Sequence, residues 1–260
     1  MLMMEQYRGT IAAIIAAILR ETKETPQIAI PFDDLRECYT ADSSDDVQLD
    51  DLIEYIGGAS GEAISIHRQG DKKAVKVVDK TSLWLMLYSL DVDLADVSLL
   101  HWTDFEKLVQ HAMVENGYAT KKNYRFLDGK GKRHEVDVVA IDKRSKEHFI
   151  FFIDAKNWDY HTNSSTARIL EAANEQYQRC VALGETLPVL SDLLFEMNLQ
   201  WNKCIIMPMV VTLLDPPVRD FFVPIVSILQ FNGFMQEFTS NMDTYKKKYV
   251  SGIPIQTQLK

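Results

Sequence analysis

The sequence predicts an α/β chain in two parts: a small domain of helices and one hairpin, then a larger domain whose mixed central sheet is flanked by helices. Three observations carry this. Three runs rich in β-formers, Tyr118 to Leu127, Glu135 to Asp142 and His148 to Lys156, are separated by short turns and read as a three-stranded meander. Amphipathic segments with apolar residues at helical spacing stand on either side of it. Two further apolar runs, Lys203 to Leu213 and Phe222 to Leu229, complete the order helix, meander, helix, strand, strand.

The 260 residues suffice for one large or two small domains with real cores. Three widely spaced cysteines, Cys38, Cys180 and Cys204, suit a reducing cytoplasm and argue against a disulfide framework or a zinc site. The apolar run Ile11 to Leu19 is too short to span a bilayer and lacks the preceding positive region of a signal peptide, so no membrane role is expected. The formal net charge is -9, yet residues 1 to 100 hold 9 Lys and Arg against 18 Asp and Glu, and the remainder is balanced at 19 of each. The acidity thus belongs to the first part alone.

In order, Glu5 to Arg20 reads as a packed helix ended by ETKETP, whose Pro26 cannot continue it. PFDDLRECY reads as a short helix after Pro31, and Val47 to Ile56 as a third, stopped by Gly57-Gly58. Glu62 to His67 and Lys73 to Val78 flank a Gln69-Gly70-Asp71 turn as a hairpin. Thr81 to Leu90 is too apolar for an exposed linker and is expected as a helix packed between domains or between subunits. These readings divide the chain at 1–80, a linker helix at 81–95 and a second domain at 96–260, with the boundary near Asp91 to Asp96.

His101 to Asn116 reads as a helix with the stripe Trp102, Phe105, Val109, Ala112 and Met113, capped by Gly117; Glu106 lies at the stripe's edge. Asp128-Gly129-Lys130-Gly131 is the first turn of the meander. Thr166 to Leu183 is expected as a helix with Ile169, Ala173, Tyr177 and Cys180 inward and Gly184 as its cap. Pro188 to Asn202 reads as a helix and turn, and Phe231 to Phe238 starts a closing helix. Lys246-Lys247-Lys248 reads as a solvated basic run.

Arg133 to Trp158, RHEVDVVAIDKRSKEHFIFFIDAKNW, is where charges sit inside apolar strands. Alternation places Asp154 and Lys156 on the face of Ile150 and Phe152, opposite Phe149, Phe151, Ile153 and Ala155. Burying that aspartate and lysine is costly unless they are paired or bind a cation. Asp137, on the neighbouring strand, can bring a second carboxylate to the same place, and a hard divalent cation relieves the repulsion between them. Taken singly, Asp154 and Lys156 read as a strand-end ion pair and Asp137 as a solvated residue.

Taken together, the order Asp, loop, apolar strand, Asp-Ala-Lys resembles the PD-(D/E)XK nuclease superfamily, and EVDVVA with DAKNW resembles its Mrr-like restriction and Holliday-junction-resolvase branches, over roughly residues 101 to 238. DFEKLVQHAMVENGY resembles the first helix of those nucleases, which carries a glutamate that helps ligate the metal. The resemblance implies a restriction-endonuclease-like fold with Asp137, Asp154 and the carbonyl of Ala155 as ligands to Mg2+ or Mn2+, Glu106 ligating directly or through water, and Lys156 positioning the attacking water. Some members add a glutamine or tyrosine from the following helix. Here Glu175-Gln176-Tyr177 does not match the QxxxY spacing, which leaves Gln176 as a weak accessory candidate.

The three helices and hairpin of the first part resemble a winged helix. A third helix that reads DNA needs cations, whereas Asp42, Asp45, Asp46, Asp50 and Asp51 lie in or before this one. A protein-contact or dimerisation role is expected, with DNA contact through Arg68, Lys72, Lys73 and Lys76 of the hairpin as the minority reading and a solvated face nearly as good.

The function implied is a Mg-dependent endonuclease hydrolysing DNA phosphodiester bonds in restriction or repair, acting as a homodimer. The alternative is a catalytically silent nuclease fold serving as a DNA-binding or assembly subunit, with the acidic domain as its docking module. Between Tyr118 and His134, Lys121, Lys122, Arg125, Lys130, Lys132 and Arg133 face one acid, Asp128, and the tip of this hairpin is expected to grip phosphates beside the cleavage site.

Overall fold

The computed structural model describes residues 7–22, 28–36, 48–90, 101–157, 165–213, 215, 216, 218 and 221–256. The chain divides into two compact units, Met1–Asp104 and Phe105–Lys260.

In the first unit, helix α1 (Arg8–Glu21) buries Ile11, Ile14, Ile15, Ile18 and Leu19. A short strand β1 (Ala29–Pro31) leads into α2 (Phe32–Leu35), and α3 (Leu49–Ala59) precedes the hairpin β2 (Ile64–Gln69) and β3 (Lys72–Val77). The hairpin register pairs Gln69 with Lys72, which leaves Gly70-Asp71 as a two-residue turn, with Gly70 at φ 61°. The sheet order is β1-β3-β2, all antiparallel. Helix α3 runs through Gly57-Gly58, because burial of Leu52, Ile53 and Ile56 outweighs the low helix propensity of glycine. The expected second helix beyond Arg36, the start of the third at Val47 and the acidic run at 42–46 lie outside the described residues.

Thr81 to Leu90, expected as a linker, is α4 (Lys80–Ser89) and is packed within this unit. It lies against α1 and buries Leu83, Trp84, Met86 and Leu87, with Leu90 just beyond its end. Leu85 on the same helix is only half-buried. The Lys80 ammonium and the Arg8 guanidinium donate to the carbonyls of Thr22 and Leu90, tying the ends of the two helices together. Residues 91–100, where the boundary was expected, are not described.

The second unit holds a six-stranded mixed sheet. Helix α5 (Trp102–Glu115), which begins at the boundary, buries Phe105, Leu108, Val109 and Met113 and ends at Gly117, whose φ of 83° suits glycine. Trp102, placed on the buried stripe by its spacing, is instead 58% exposed. The meander β4 (Ala119–Leu127), β5 (Arg133–Ile141) and β6 (Phe149–Lys156) is antiparallel throughout. Helices α6 (Ser165–Glu185) and α7 (Leu187–Glu196) then lead to β7 (Lys203–Thr212), which lies parallel to β6 as a helical crossover permits.

Beyond β7 the structure departs from the expected strand Phe222 to Leu229. Only β8 (Ile225–Ser227) pairs with β7, and a 3-10 turn leads into α8 (Phe231–Asn241). A strand not expected from the sequence, β9 (Lys248–Ser251), pairs antiparallel with the first half of β7. The lysine run before and into it is employed rather than solvated. Lys246 lies 4.0 Å from the Phe222 ring centroid, Lys247 pairs with Asp243 at 2.7 Å, and Lys248 with Glu185 at 3.4 Å. Gly184 does not cap α6, which continues to Glu185. A Cβ there would come within 2.6 Å of Lys248 Cγ and 3.0 Å of Val250 Cγ2, so glycine is needed for the close approach of β9.

Two apolar clusters cover one sheet face. Ile150, Phe152 and Ile206 pack with Cys180 and Leu183 of α6 and Leu190, Leu193 and Leu194 of α7. Ile169 and Ala173, near the start of α6, pack with Val210 and Ile225. Phe149 and Phe151, pointing the other way along β6, both meet Phe238 of α8 edge-on.

Candidate active site

The site forms where the meander comes apart. Strands β5 and β6 are paired from Ile141↔Ile150 to Val138↔Ile153, and one more rung of that register would set Asp137 opposite Asp154. The ladder stops there. Asp137 instead accepts the Ala155 backbone N–H on its Oδ2 at 2.8 Å, so a side chain replaces the missing rung. On its other side, the β4–β5 register skips the rung between Asn123 and Asp137, where Asn123 sits at φ 50°. Asparagine tolerates that left-handed backbone, and an interruption of this kind re-aims a side chain at a strand.

Asp154 is 4% exposed, at the end of a strand whose other residues from Phe149 to Ile153 are buried. Its Oδ2 lies 3.0 Å from Lys156 Nζ as an ion pair and, among the described residues, accepts no hydrogen bond. Burial is the main force on Asp137 and pushes its carboxyl from an ordinary 3.8 up to about 7; the charges of Asp154 and Glu106 add to this, against the Ala155 N–H and Lys156. Glu106, at 6% exposure, is not the solvated residue its place at the stripe's edge suggested. Burial raises its pKa first, Lys122 opposes this, and Glu135 and Asp154 raise it further. Glu106, Asp137, Asp154, Lys156 and Lys122 thus share one electrostatic neighbourhood drawn from a helix and three adjacent strands.

An oxygen-preferring divalent cation fits this place on two counts. A buried carboxylate oxygen lacks a hydrogen bond among the described residues, and a second carboxylate beside it is held well above its usual pKa by burial and then by the charge of Asp154. Among the described residues no three His, Cys, Asp or Glu side chains stand close enough to hold a metal by themselves. Asp137 and Asp154 remain as two neighbouring carboxylates, a sparse set of the kind magnesium accepts while keeping water.

Helix α6 contributes what the sequence reading missed. Its inward stripe is Ile169, Ala172, Ala173, Gln176, Cys180 and Leu183, with Tyr177 only half-buried. Gln176 is fully buried; its Oε1 accepts from Arg179 Nη1 at 2.7 Å, and its Nε2 has no partner among the described residues. Such an orphan costs about 1–3 kcal/mol. The guanidinium stands 3.5 Å from Asp154 Oδ1, so two cations flank one buried carboxylate. A glutamine spaced among Ile169, Ala173 and Cys180 was the available signal, because a polar residue on a buried stripe needs a partner.

The basic hairpin is divided in its commitments. Lys121 pairs with Glu196, and Arg125 with Glu135 at 2.8 Å. Lys122 pairs in register with Val138, beside the site. At the tip, Asp128 Oδ1 accepts the backbone N–H groups of Lys130 and Lys132 at 2.9 Å each, and Oδ2 meets His134 Nε2 at 3.0 Å. These bonds, the His134 contact foremost, hold the Asp128 carboxyl down at about 2. The side chains of Lys130, Lys132 and Arg133 are left exposed. Four residues of strand, 133–136, stand between Lys132 and Asp137, a separation of roughly 17 Å over five steps at the rise of a strand.

A mixed sheet with Asp137 on one strand and Asp154-Ala155-Lys156 ending the next is the arrangement that the resemblance to PD-(D/E)XK nucleases implies. Residues 97–183 match the family model described as restriction endonuclease. Among solved structures, the restriction endonuclease FokI bound to DNA is similar over 87% of this chain and 44% of that chain, at 10% identity and a TM-score of 0.36. The chain spans less than half the length of that structure. A search of curated proteins found no match. No described helix is long and apolar enough to cross a membrane.

Proposed function

We propose that the chain is a divalent-metal-dependent endonuclease that hydrolyses DNA phosphodiester bonds. The observation that carries this reading is the meeting of Asp137 and Asp154 where β5 and β6 part, with Lys156 Nζ 3.0 Å from Asp154. Asp137, Asp154 and the Ala155 carbonyl would hold Mg2+ or Mn2+, which supplies charge to polarise a phosphate and acidify water. The Ala155 N–H fixes one oxygen of Asp137, so that carboxylate needs no reorganisation. Lys156 orients the attacking water and offsets charge that develops on the phosphate. Glu106 would ligate the ion directly or through a water. There is no covalent step.

The silent-subunit reading has one observation in its favour: Asp154 is already flanked by Lys156 and Arg179, as a structural ion pair would be. Cleavage of linear, branched and methylated DNA with Mg2+ or Mn2+ separates the two. Asp154→Asn and Lys156→Ala should each abolish cutting, with circular dichroism unchanged. Wild-type rates in either variant would remove the site assignment.

For the first unit, the order of helices and hairpin supports a winged-helix reading with a protein-docking role. Lys73 pairs with Asp50, and Arg68 with Glu54 at 3.3 Å, so hairpin cations are already matched by acids of α3. Cutting both strands calls for two copies of a single site, and a homodimer is part of this reading. A cytoplasmic setting accords with Cys180 and Cys204, which are buried and unpaired.

A further inference from the structure

Arg179 occupies a place that neither a surface cation nor a core ion pair would. Its Nη1 is bonded to Gln176 Oε1 at 2.7 Å, its Nη2 is 3.5 Å from Glu175 Oε2, and its side chain is 21% exposed. Toward Asp154 it makes a 3.5 Å ion pair and no hydrogen bond. The firm attachment is thus to a neutral, fully buried amide one helical turn away, and the contact with the carboxylate is the loose one. A guanidinium carries five donors in a planar fork, and this arrangement leaves part of that capacity unspent.

We propose that Arg179 is a substrate-binding residue that guards Asp154 until a divalent cation arrives and then turns to a non-bridging oxygen of the DNA phosphate. This rests on the nuclease reading above. A dication beside Asp154 repels a guanidinium 3.5 Å from the same carboxylate and takes over its charge compensation. The phosphate brings the negative charge that the displaced guanidinium needs, and the planar fork matches its oxygens. Gln176 is what makes the exchange local: its amide holds Nη1, the same nitrogen that faces Asp154, so the edge that turns to the phosphate is Nη2, which has only a 3.5 Å contact with Glu175 to give up.

The role predicts opposite signs in two binding measurements on the full chain. Calorimetry with Ca2+ alone should show Arg179→Ala binding roughly tenfold more tightly than wild type, because a competing positive charge is gone. Binding of a DNA duplex in Ca2+, across a salt series, should be weaker in the same variant, with the slope of log affinity against log salt reduced by ~0.9 for one lost phosphate contact. Arg179→Lys keeps the charge and should retain the slope while losing affinity. A variant that merely damages the fold weakens both interactions. Equal or weaker Ca2+ binding by Arg179→Ala, or an unchanged salt slope, overturns the role while leaving the nuclease reading in place. Wild-type protein whose Ca2+ binding is absent, or indifferent to Asp154→Asn, sinks both.

Discussion

Replacing Asp137 with Asn should make the metal-free protein more stable at neutral pH, although it removes a residue at the centre of the site. The carboxyl is pushed up to about 7 from 3.8, by burial first and by Asp154 next. A group whose folded pKa lies above its unfolded value binds more protons in the folded state between the two. Stability therefore falls as pH rises from about 4 to about 7, and above 7 the whole cost is present. A shift of about 3 units corresponds to about 4 kcal/mol at 1.36 per unit. Since part of that cost comes from the neighbouring Asp154 charge and is shared with it, the amount relieved by neutralising Asp137 is on the order of 2–4 kcal/mol. Asparagine keeps an oxygen to accept the Ala155 N–H, so the rung between β5 and β6 survives the change.

The chain has two compact units, and a single global transition would mix them. Amide exchange across residues 133–156 in EDTA, measured from pH 4 to 8.5 and corrected for intrinsic rates, reports the relevant stability. Wild type and Asp137→Asn should coincide near pH 4 and diverge steadily to pH 8, with the variant more protected. Saturating Ca2+ should then close the gap by stabilising wild type alone. A variant that is equal or less protected at pH 8 without metal would refute the argument that crowded carboxylates strain this strand end.

Two other outcomes test the wider reading. If Lys130, Lys132 and Arg133 each neutralise a phosphate, replacing all three with Ala should lower the salt slope of DNA binding in Ca2+ by up to ~2.7, at ~0.9 per contact, with Ca2+ affinity unchanged; the same slope as wild type would remove the hairpin tip from the interface. A fragment of residues 1–95 should fold and fail to shift DNA at physiological salt, because its hairpin cations are partly matched by α3; tight, salt-sensitive binding would overturn the docking role.

The legible parts of this fold are those whose cause is local. Period-two alternation and the Asp128-Gly129-Lys130-Gly131 turn placed the meander, and Gly117 marked the end of α5. The site was legible for a related reason: Asp137, Asp154 and Lys156 are charges where the strand pattern demands apolar residues, and the conflict itself is the signal. The missed strands β1 and β9 are three and four residues long. Each exists because a partner strand offers unpaired backbone, Val75 and its neighbours for β1 and Cys204 and its neighbours for β9. Nothing within their own residues distinguishes them from loop. Gly184 illustrates the same limit, for its purpose lies in Lys248 and Val250, distant in sequence, and its neighbourhood resembles a helix end.

Arg179 is the instructive case, because its role depends on two contacts of different range. The bond to Gln176 is one helical turn and in principle readable; the approach to Asp154 spans a loop and most of a helix and is set by how α6 lies across β6 and β7. An arginine at i+3 from a glutamine is unremarkable on any exposed helix face. It gains meaning only when the glutamine is known to be buried, since a buried amide must be answered and the answering group then comes within reach of whatever the helix covers. Here that is the end of β6. The same packing that seals Ile150 and Phe152 under Cys180 and Leu183 brings a cation to Asp154, so core formation and assembly of the site are one event.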